Sequence, residues 1–133
     1  MAVVKDEVLL IRSGEDVVAV RQAVREWAIG VGFGLVDQTK VVTAASELAR
    51  NVVQYGGGGV VRLEALNGPR RGLRLVFEDD GPGIADVEQA LRDGFTTGSG
   101  LGLGLGGARR LVNEFRIESE PGKGTRVTIT RWK

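Results

Sequence analysis

Residues 72–83, GLRLVFEDDGPG, decide the fold because they end a buried strand abruptly in carboxylates and glycines. The apolar run at 73–77 is typical of a strand that packs against a core. Gly81 and Gly83 flank a proline, so the chain must turn sharply and another group can approach the backbone closely. Taken alone, such a string is more often only a turn, but the carboxylate of Asp79 at the strand end favours a binding site.

Five segments of the chain have the β-branched and apolar composition of strands, and turn-forming residues separate them. The link between the second and the third, residues 67–71, is typical of a hairpin. The predicted strands are residues 2–12, 60–66, 72–79, 115–120 and 125–132.

Two of the three predicted helices lie near the beginning and near the end of the sequence. The first follows Ser13, which together with Asp16 has the pattern of a capping box, and the glycines at Gly30 and Gly32 end it. The third predicted helix covers residues 105–114. The first has apolar residues at helical spacing.

The second helix carries polar side chains beside its apolar stripe. We expect it to begin at a capping Asp37 and to end at the glycine run 56–59. Glu47 and Asn51 are four residues apart, so they stack on one face. The helix alone is consistent with a solvated polar face, since exposed charges are the rule. An asparagine in mid-helix has a small propensity cost, which favours a function for it.

Residues 98–107, GSGLGLGLGG, hold six glycines in ten positions ahead of the third helix. Free N–H groups of a glycine loop at a helix start suit a phosphate. No Lys-Ser/Thr pair follows, which excludes a Walker A loop, and the setting is not that of a dinucleotide fingerprint. A flexible hinge is the alternative, and it is compatible with a phosphate-binding lid.

The composition excludes several classes of function. The 133-residue chain has no cysteine and no histidine, which excludes disulfides, thiolate nucleophiles, cysteine-type zinc sites and Ser-His triads. A formal net charge of +1 gives no basic field for nucleic acid, and the arginine pairs at 70–71 and 109–110 are interpreted as solvated charges. The longest strongly apolar run, residues 8–11, is too short to span a bilayer. We expect one cytoplasmic domain over residues 1–133.

The order of elements predicts the architecture. It is strand, helix, helix, strand, strand, a long loop at residues 80–107 with a helical turn near 86–92, helix, strand, strand. Three helices are too few to cover both faces of such a sheet, so we predict a two-layer α/β sandwich with helices on one face of a mostly antiparallel mixed sheet. A loop of that length in a compact domain is usually a lid or binding loop.

Taken in order, these motifs resemble those of the GHKL ATP-binding superfamily, whose Bergerat fold occurs in gyrase-type topoisomerases, Hsp90-type chaperones, mismatch-repair ATPases and bacterial histidine kinases. Residues 47–51 resemble its N box and 79–83 its first glycine box. The second glycine box is matched by 102–104 and the last box by 124–125. The resemblance covers nearly the whole chain and implies the same fold.

Within that superfamily the chain resembles the anti-sigma-factor serine kinases, and more narrowly the RsbT-type switch kinases of the stressosome. The segments that carry this are residues 46–51, 78–84, 93–97 and the Leu-Gly repeat. The resemblance implies an ATP-dependent kinase that phosphorylates serine or threonine on a STAS-domain protein. Once released, such a kinase binds and activates a PP2C-type phosphatase regulator.

The resemblance also implies roles for the helix and lid residues. Glu47 is the expected general base, and Asn51 is the expected ligand of Mg²⁺ beside the ATP phosphates. Gly102 and Gly104 would donate backbone N–H groups to those phosphates. One departure is that Gln54-Tyr55-Gly56 stands where many relatives carry a histidine, which weakens a histidine-kinase reading.

The remaining implied roles concern the base of the nucleotide. Asp79 would accept a hydrogen bond from the adenine amino group, while Gly81 and Gly83 would let the base lie against the backbone. Thr125 would close the adenine pocket. Two alternatives to a kinase remain at this point: an anti-sigma factor that binds its partner with little catalysis, and a stand-alone ATPase or detached histidine-kinase domain.

Overall fold

The inner strands bury alternate residues, and the two long helices pack on the side of the sheet to which those residues point. The structure, a computed structural model, describes residues 2–84, 87–91 and 104–133. None of the helices in those ranges is long and apolar enough to cross a membrane. The elements are β1 (Ala2–Ile11), α1 (Gly14–Val31), α2 (Leu35–Gln54), β2 (Gly59–Asn67), β3 (Gly72–Asp79), α3 (Val87–Ala90), α4 (Gly104–Arg110), β4 (Glu114–Ser119) and β5 (Thr125–Trp132).

The five strands form a single sheet in the order β1-β2-β3-β5-β4, and all four pairings are antiparallel. The predicted two-layer α/β sandwich is therefore confirmed, with an antiparallel sheet throughout. Strand β5 lies between β3 and β4, so Leu75 in the centre of β3 is opposite Leu63 on one side and Ile129 on the other. All three side chains are buried.

The core lies between this sheet and the pair α1–α2. Alternate residues of β3 that include Leu73 and Phe77 are buried, as expected for a strand with one face on a core. On α1 the buried positions recur every three or four residues, such as Val20 and Val24, whereas residues 44–49 of α2 are all buried.

Ion pairs occupy the face of the sheet that points away from the helices. The residues involved alternate with the buried ones on β2 and β3, so their side chains project to the opposite side. They neutralise one another across neighbouring strands, which lets this face remain in contact with water. The cross-strand pairs are Asp6–Arg62 at 2.9 Å, Glu64–Arg74 at 2.7 Å and Glu78–Arg126 at 3.4 Å.

The start of α2 differs from its prediction. Gly34 is the N-cap and the helix begins at Leu35, so Asp37 lies in the first turn instead of capping it. Its Oδ1 accepts a hydrogen bond of 2.7 Å from Nη2 of Arg131 near the end of β5. The carboxylate that the local sequence predicts as the helix cap therefore forms an ion pair with a distant residue.

The first and third predicted helices, which are α1 and α4 in the structure, also differ in detail from their predictions. Ser13 is the N-cap of α1 but makes no side-chain cap hydrogen bond. The Asp16 carboxylate accepts the N–H of Arg12 at 2.8 Å instead of closing a capping box. Gly32, with φ of 101°, ends α1 in the left-handed conformation that glycine favours. Helix α4 ends at Arg110, and Glu114, predicted as helical, begins β4.

Replacement of Leu75 by alanine should destabilise the fold. The side chain is fully buried in the central strand, so truncation removes apolar contacts and leaves a cavity, at a cost of about 2–5 kcal/mol in the free energy of unfolding. Urea denaturation measures this. The matched control is Leu35→Ala, where 71% of the residue is exposed, and we expect a change within about 0.5 kcal/mol. Equal effects at both positions would contradict the assignment of the core.

Candidate functional site

A cavity of about 400 Å³ lies where the end of α2, the turn after β3, the start of α4 and the start of β5 meet. Apolar side chains form part of its wall, including Leu48 and Phe77. The polar side chains Asn51, Asp79 and Thr125 also line it. Although these three are far apart in the sequence, the fold brings them to one site. A mostly apolar pocket with a few convergent polar groups is typical of a small-molecule site.

Helix α2 supplies Asn51 to the cavity and holds Glu47 one turn earlier. Among the described residues, the cavity wall includes Asn51 but not Glu47. Glu47 is only 6% exposed, and its Oε1 accepts a hydrogen bond of 3.0 Å from Nη1 of Arg50. Glu47 and Asn51 thus lie one helical turn apart, as expected. The amide of Asn51 is at the cavity wall, and the carboxylate of Glu47 is in an ion pair beside it.

Three glycine backbones pack closely around Asp79. A Cβ on Gly56, just after α2, would lie 2.4 Å from Cγ of Asp79, and one on Gly124 would lie 2.1 Å from its carbonyl oxygen. A Cβ on Gly81 would lie 2.7 Å from Cα of Gly56. The N–H of Gly81 donates to Oδ1 of Asp79 at 2.9 Å. We call Gly56, Gly81 and Gly124 the glycine cradle of Asp79.

The turn after β3 is anchored to the loop between β4 and β5. Gly83 lines the cavity with φ of 77°, and a Cβ there would lie 2.1 Å from the carbonyl oxygen of Glu120. The carbonyl of Pro82 accepts the N–H of Gly122 at 2.7 Å. Gly104, at the start of α4, also lines the cavity. The predicted site residue Gly102 lies outside the described residues.

Ser119 links two residues of the cavity wall, Ile84 and Thr125. Its Oγ accepts the N–H of Ile84 at 2.8 Å, donates to the carbonyl of Gly124 at 3.0 Å, and lies 2.8 Å from Oγ1 of Thr125. A serine has one hydroxyl hydrogen, so the Thr125 hydroxyl is the donor in the last contact. The lone pairs of Thr125 are then left to accept a hydrogen bond from a ligand.

Burial raises the pKa of the Asp79 carboxyl above its ordinary value, because the charged form loses water at the cavity wall. The N–H groups of Gly81 and Thr125 lower the pKa, and the neighbouring charge of Asp80 raises it, but desolvation is the largest cause. Asp79 is thus a poorly hydrated carboxylate at the cavity wall, well suited to accept a hydrogen bond from a bound molecule.

The groups at the cavity could contribute one ligand to a magnesium ion that is bound together with a phosphate ligand. Those that the structure describes do not form a metal site made of protein ligands alone. Within residues 2–84, 87–91 and 104–133, no three acidic side chains cluster in a way that could hold a metal ion. Asn51 offers one amide oxygen at the cavity wall. Mg²⁺ usually takes one or two protein ligands and completes its octahedron with water and phosphate oxygens, so a single amide fits that pattern.

Sequence reasoning missed two residues of the site. Gly56 was assigned only as part of the run that ends the second helix, yet its backbone is part of the glycine cradle. Ser119 carries no sequence signal, since a serine at the end of a strand is ordinary. Its role depends on contacts with residues 5, 6 and 35 positions away in the chain.

Comparisons with protein families and curated proteins agree on one group. Residues 36–133 match the family described as histidine kinase-, DNA gyrase B-, and HSP90-like ATPase. The chain is 45% identical over 118 residues to the serine/threonine-protein kinase RsbT of Bacillus subtilis, covering 88% of this chain and 89% of that protein. It is 31% identical over 97 residues to an anti-sigma F factor of Thermoanaerobacter, covering 69% and 68% of the two chains.

Solved structures show the same fold. The RsbU and RsbW domains of a Mycobacterium tuberculosis protein match with a TM-score of 0.69 and 28% identity, covering 96% of this chain and 32% of that one. The mycobacterial sensor histidine kinase MprB matches with a TM-score of 0.57 and 21% identity, covering 96% and 97% of the two chains. At that identity the second likeness concerns the fold alone.

The glycine cradle predicts a steric effect at Gly56. A methyl group there overlaps the side chain of Asp79, so Gly56→Ala should lower the free energy of unfolding by about 1–3 kcal/mol. Thermal and urea denaturation measure it. Gly30→Ala is the control, since nothing lies within 4 Å of a Cβ there, and it should leave stability unchanged or raise it by up to about 1 kcal/mol. A neutral Gly56→Ala would contradict the close packing.

The raised pKa of Asp79 predicts that the effect of Asp79→Asn on stability depends on pH. The folded pKa is raised, so the contribution of Asp79 to stability is complete below its unfolded pKa and is lost as the pH rises through the folded value. The free energy of unfolding of Asp79→Asn relative to wild type should therefore increase as the pH rises above the ordinary pKa of an aspartate. Urea titrations of both proteins at each pH test this, and a difference that is flat or falls with pH would refute it.

Proposed function

Because the chain belongs to the histidine kinase-, DNA gyrase B-, and HSP90-like ATPase family, we propose that it is an ATP-dependent serine/threonine protein kinase. The observation that carries this proposal is the meeting of Asn51, Asp79 and Thr125 at one cavity of about 400 Å³. Its volume lies in the usual range for small-molecule sites. The 45% identity to a serine/threonine-protein kinase supports protein phosphorylation as the activity.

In the proposed complex the adenine ring of ATP lies in the cavity beside Asp79 and Gly56. Asp79 accepts the hydrogen bond of the adenine amino group, and its poor hydration strengthens that bond. The base is proposed to lie against the backbone of the turn that holds Gly81 and Gly83, of which Gly83 lines the cavity. Thr125, whose hydroxyl hydrogen is directed to Ser119, accepts a hydrogen bond from the base or from an intervening water.

The triphosphate would lie between α2 and the glycine-rich segment that leads into α4. Asn51 holds Mg²⁺ through its amide oxygen, and the ion neutralises the phosphate charge. Gly104, at the cavity wall, and Gly102 would donate backbone N–H groups to phosphate oxygens. Phosphoryl transfer needs alignment and charge neutralisation more than covalent help from the protein, so this small set of groups is sufficient.

Glu47 is the proposed general base. It lies one turn before Asn51 on the same helix, so a substrate hydroxyl that reaches the γ-phosphate also approaches this carboxylate. The hydroxyl oxygen bonds to the γ-phosphorus, the bond from that phosphorus to the β,γ-bridging oxygen breaks, ADP leaves, and the hydroxyl proton moves to Glu47.

We propose a STAS-domain protein as the substrate and a PP2C-type phosphatase regulator as the partner bound after release, in the cytoplasm. Similarity to both the kinase RsbT and the anti-sigma F factors supports a role in partner switching. The second candidate is an anti-sigma factor that binds its partner with little catalysis. The 31% identity to an anti-sigma F factor favours it, and a transfer assay separates the two.

Replacement of Glu47 by glutamine should stop catalysis without preventing nucleotide binding. The amide cannot accept the hydroxyl proton, so transfer of labelled phosphate from ATP to a STAS-domain protein should slow by a factor on the order of 10²–10⁴. The Kd for a fluorescent ADP analogue, measured by titration, should change less than about threefold, since binding rests on other residues.

Glu7→Gln, at an exposed position on β1, is the matched control and should transfer phosphate at the wild-type rate. Wild-type transfer by Glu47→Gln would refute the general-base assignment. Nucleotide binding by the wild-type chain without transfer to serine or threonine would favour the anti-sigma candidate.

A further inference from the structure

Arg50 has no role in the function proposed above, yet it holds the proposed base. Its Nη1 donates to Oε1 of Glu47 at 3.0 Å, and its Nη2 donates to Oγ of Ser46 at 3.4 Å. The side chain of Glu47 is 8% exposed and that of Arg50 is 34% exposed. Within the part of the chain that the structure describes, Arg50 is the one hydrogen-bond partner of the Glu47 side chain.

Burial makes this ion pair different from those on the open face of the sheet. A carboxylate removed from water needs a charged or hydrogen-bonding partner, and removal of that partner leaves an uncompensated charge. In the exposed pair Asp6–Arg62, by contrast, about half of each side chain remains accessible. Water can replace a lost partner there but has little access to Glu47.

The geometry of the pair is fixed by a single helix. Glu47 and Arg50 are three residues apart on α2, and Ser46 and Arg50 are four apart, so the three side chains lie on one face. The planar guanidinium directs two N–H groups to two different acceptors, which restricts its rotation. The position of the Glu47 carboxylate relative to Asn51 then depends on one rigid element.

We infer that Arg50 is a positioning residue for the proposed kinase: its guanidinium holds Oε1 of Glu47, so that the second carboxylate oxygen is the one that accepts the proton of the substrate hydroxyl. This inference rests on the proposed function. Arg50 acts through Glu47 and contacts neither ATP nor the reacting atoms. Its loss should therefore lower kcat and leave the KM for the protein substrate and the Kd for nucleotide nearly unchanged.

The test compares Arg50→Met and Arg50→Lys with wild type in steady-state transfer to the STAS-domain protein that wild type phosphorylates. Methionine keeps the aliphatic length and removes the charge, so kcat should fall at least about tenfold while KM and the Kd for a fluorescent ADP analogue stay within about twofold. Lysine restores a charge near Glu47 but not the second hydrogen bond, so kcat should recover in part. Arg62→Met breaks an exposed ion pair on the face of the sheet that points away from the helices, and it should match wild type.

A double-mutant cycle distinguishes positioning from a merely structural role. In the Glu47→Gln background the further change Arg50→Met should cost less than about twofold in kcat, because the group it positions is already lost. An equal loss in both backgrounds, a raised KM in place of a lowered kcat, or a wild-type kcat for Arg50→Met would each overturn the inference. If circular dichroism shows Arg50→Met to be unfolded, Arg50→Gln takes its place with the same expected outcomes.

Failure of the proposed function gives a different pattern. A wild-type chain that transfers no phosphate overturns the kinase proposal, and the inference falls with it. The other pattern is that wild type transfers phosphate, Glu47→Gln is slow and Arg50→Met is as fast as wild type. That result supports the proposed kinase activity and overturns only the role of Arg50.

Discussion

Close packing of glycine backbones around Asp79 is the constraint on which the rest of the structure depends. Gly56 belongs to the end of α2, Gly81 to the turn after β3, and Gly124 to the start of β5. Any side chain at these positions would separate the elements by more than the structure allows. The close packing of these three backbones at Asp79 joins the end of α2 to β3 and β5, the elements from which Asn51, Asp79 and Thr125 reach the cavity.

This constraint has a cost that the fold offsets elsewhere. Asp79 is held at the cavity wall with its pKa raised by burial, so its charged form is less stable in the folded chain than in water. The core formed by β2, β3, β5 and the two long helices supplies the apolar burial that tolerates it. A binding group of this kind is typical of functional sites, where local stability is given up for reactivity or recognition.

Local patterns in the sequence were sufficient to predict the elements and their layers. Helical spacing placed Glu47 and Asn51 one turn apart, and the abrupt end of an apolar run identified Asp79. The absent capping box at Ser13 is a local difference, but several other details that differ from the prediction depend on distant residues. Asp37 does not cap α2 because Arg131, 94 positions later, binds its carboxylate. The roles of Gly56 and Ser119 follow from contacts between segments that no local window contains. Arg50 lies inside the segment that resembles the N box, but the sequence alone does not predict its hydrogen bond to Glu47.

The charged face of the sheet bears on how other macromolecules meet this chain. Opposite charges lie side by side across its strands, so their fields cancel within a few ångströms and salt screens what is left. Long-range electrostatic steering needs a surplus of one sign, and this face has none to offer. A protein partner that meets this face is therefore held there by short-range contacts and is not attracted to it by charge from a distance.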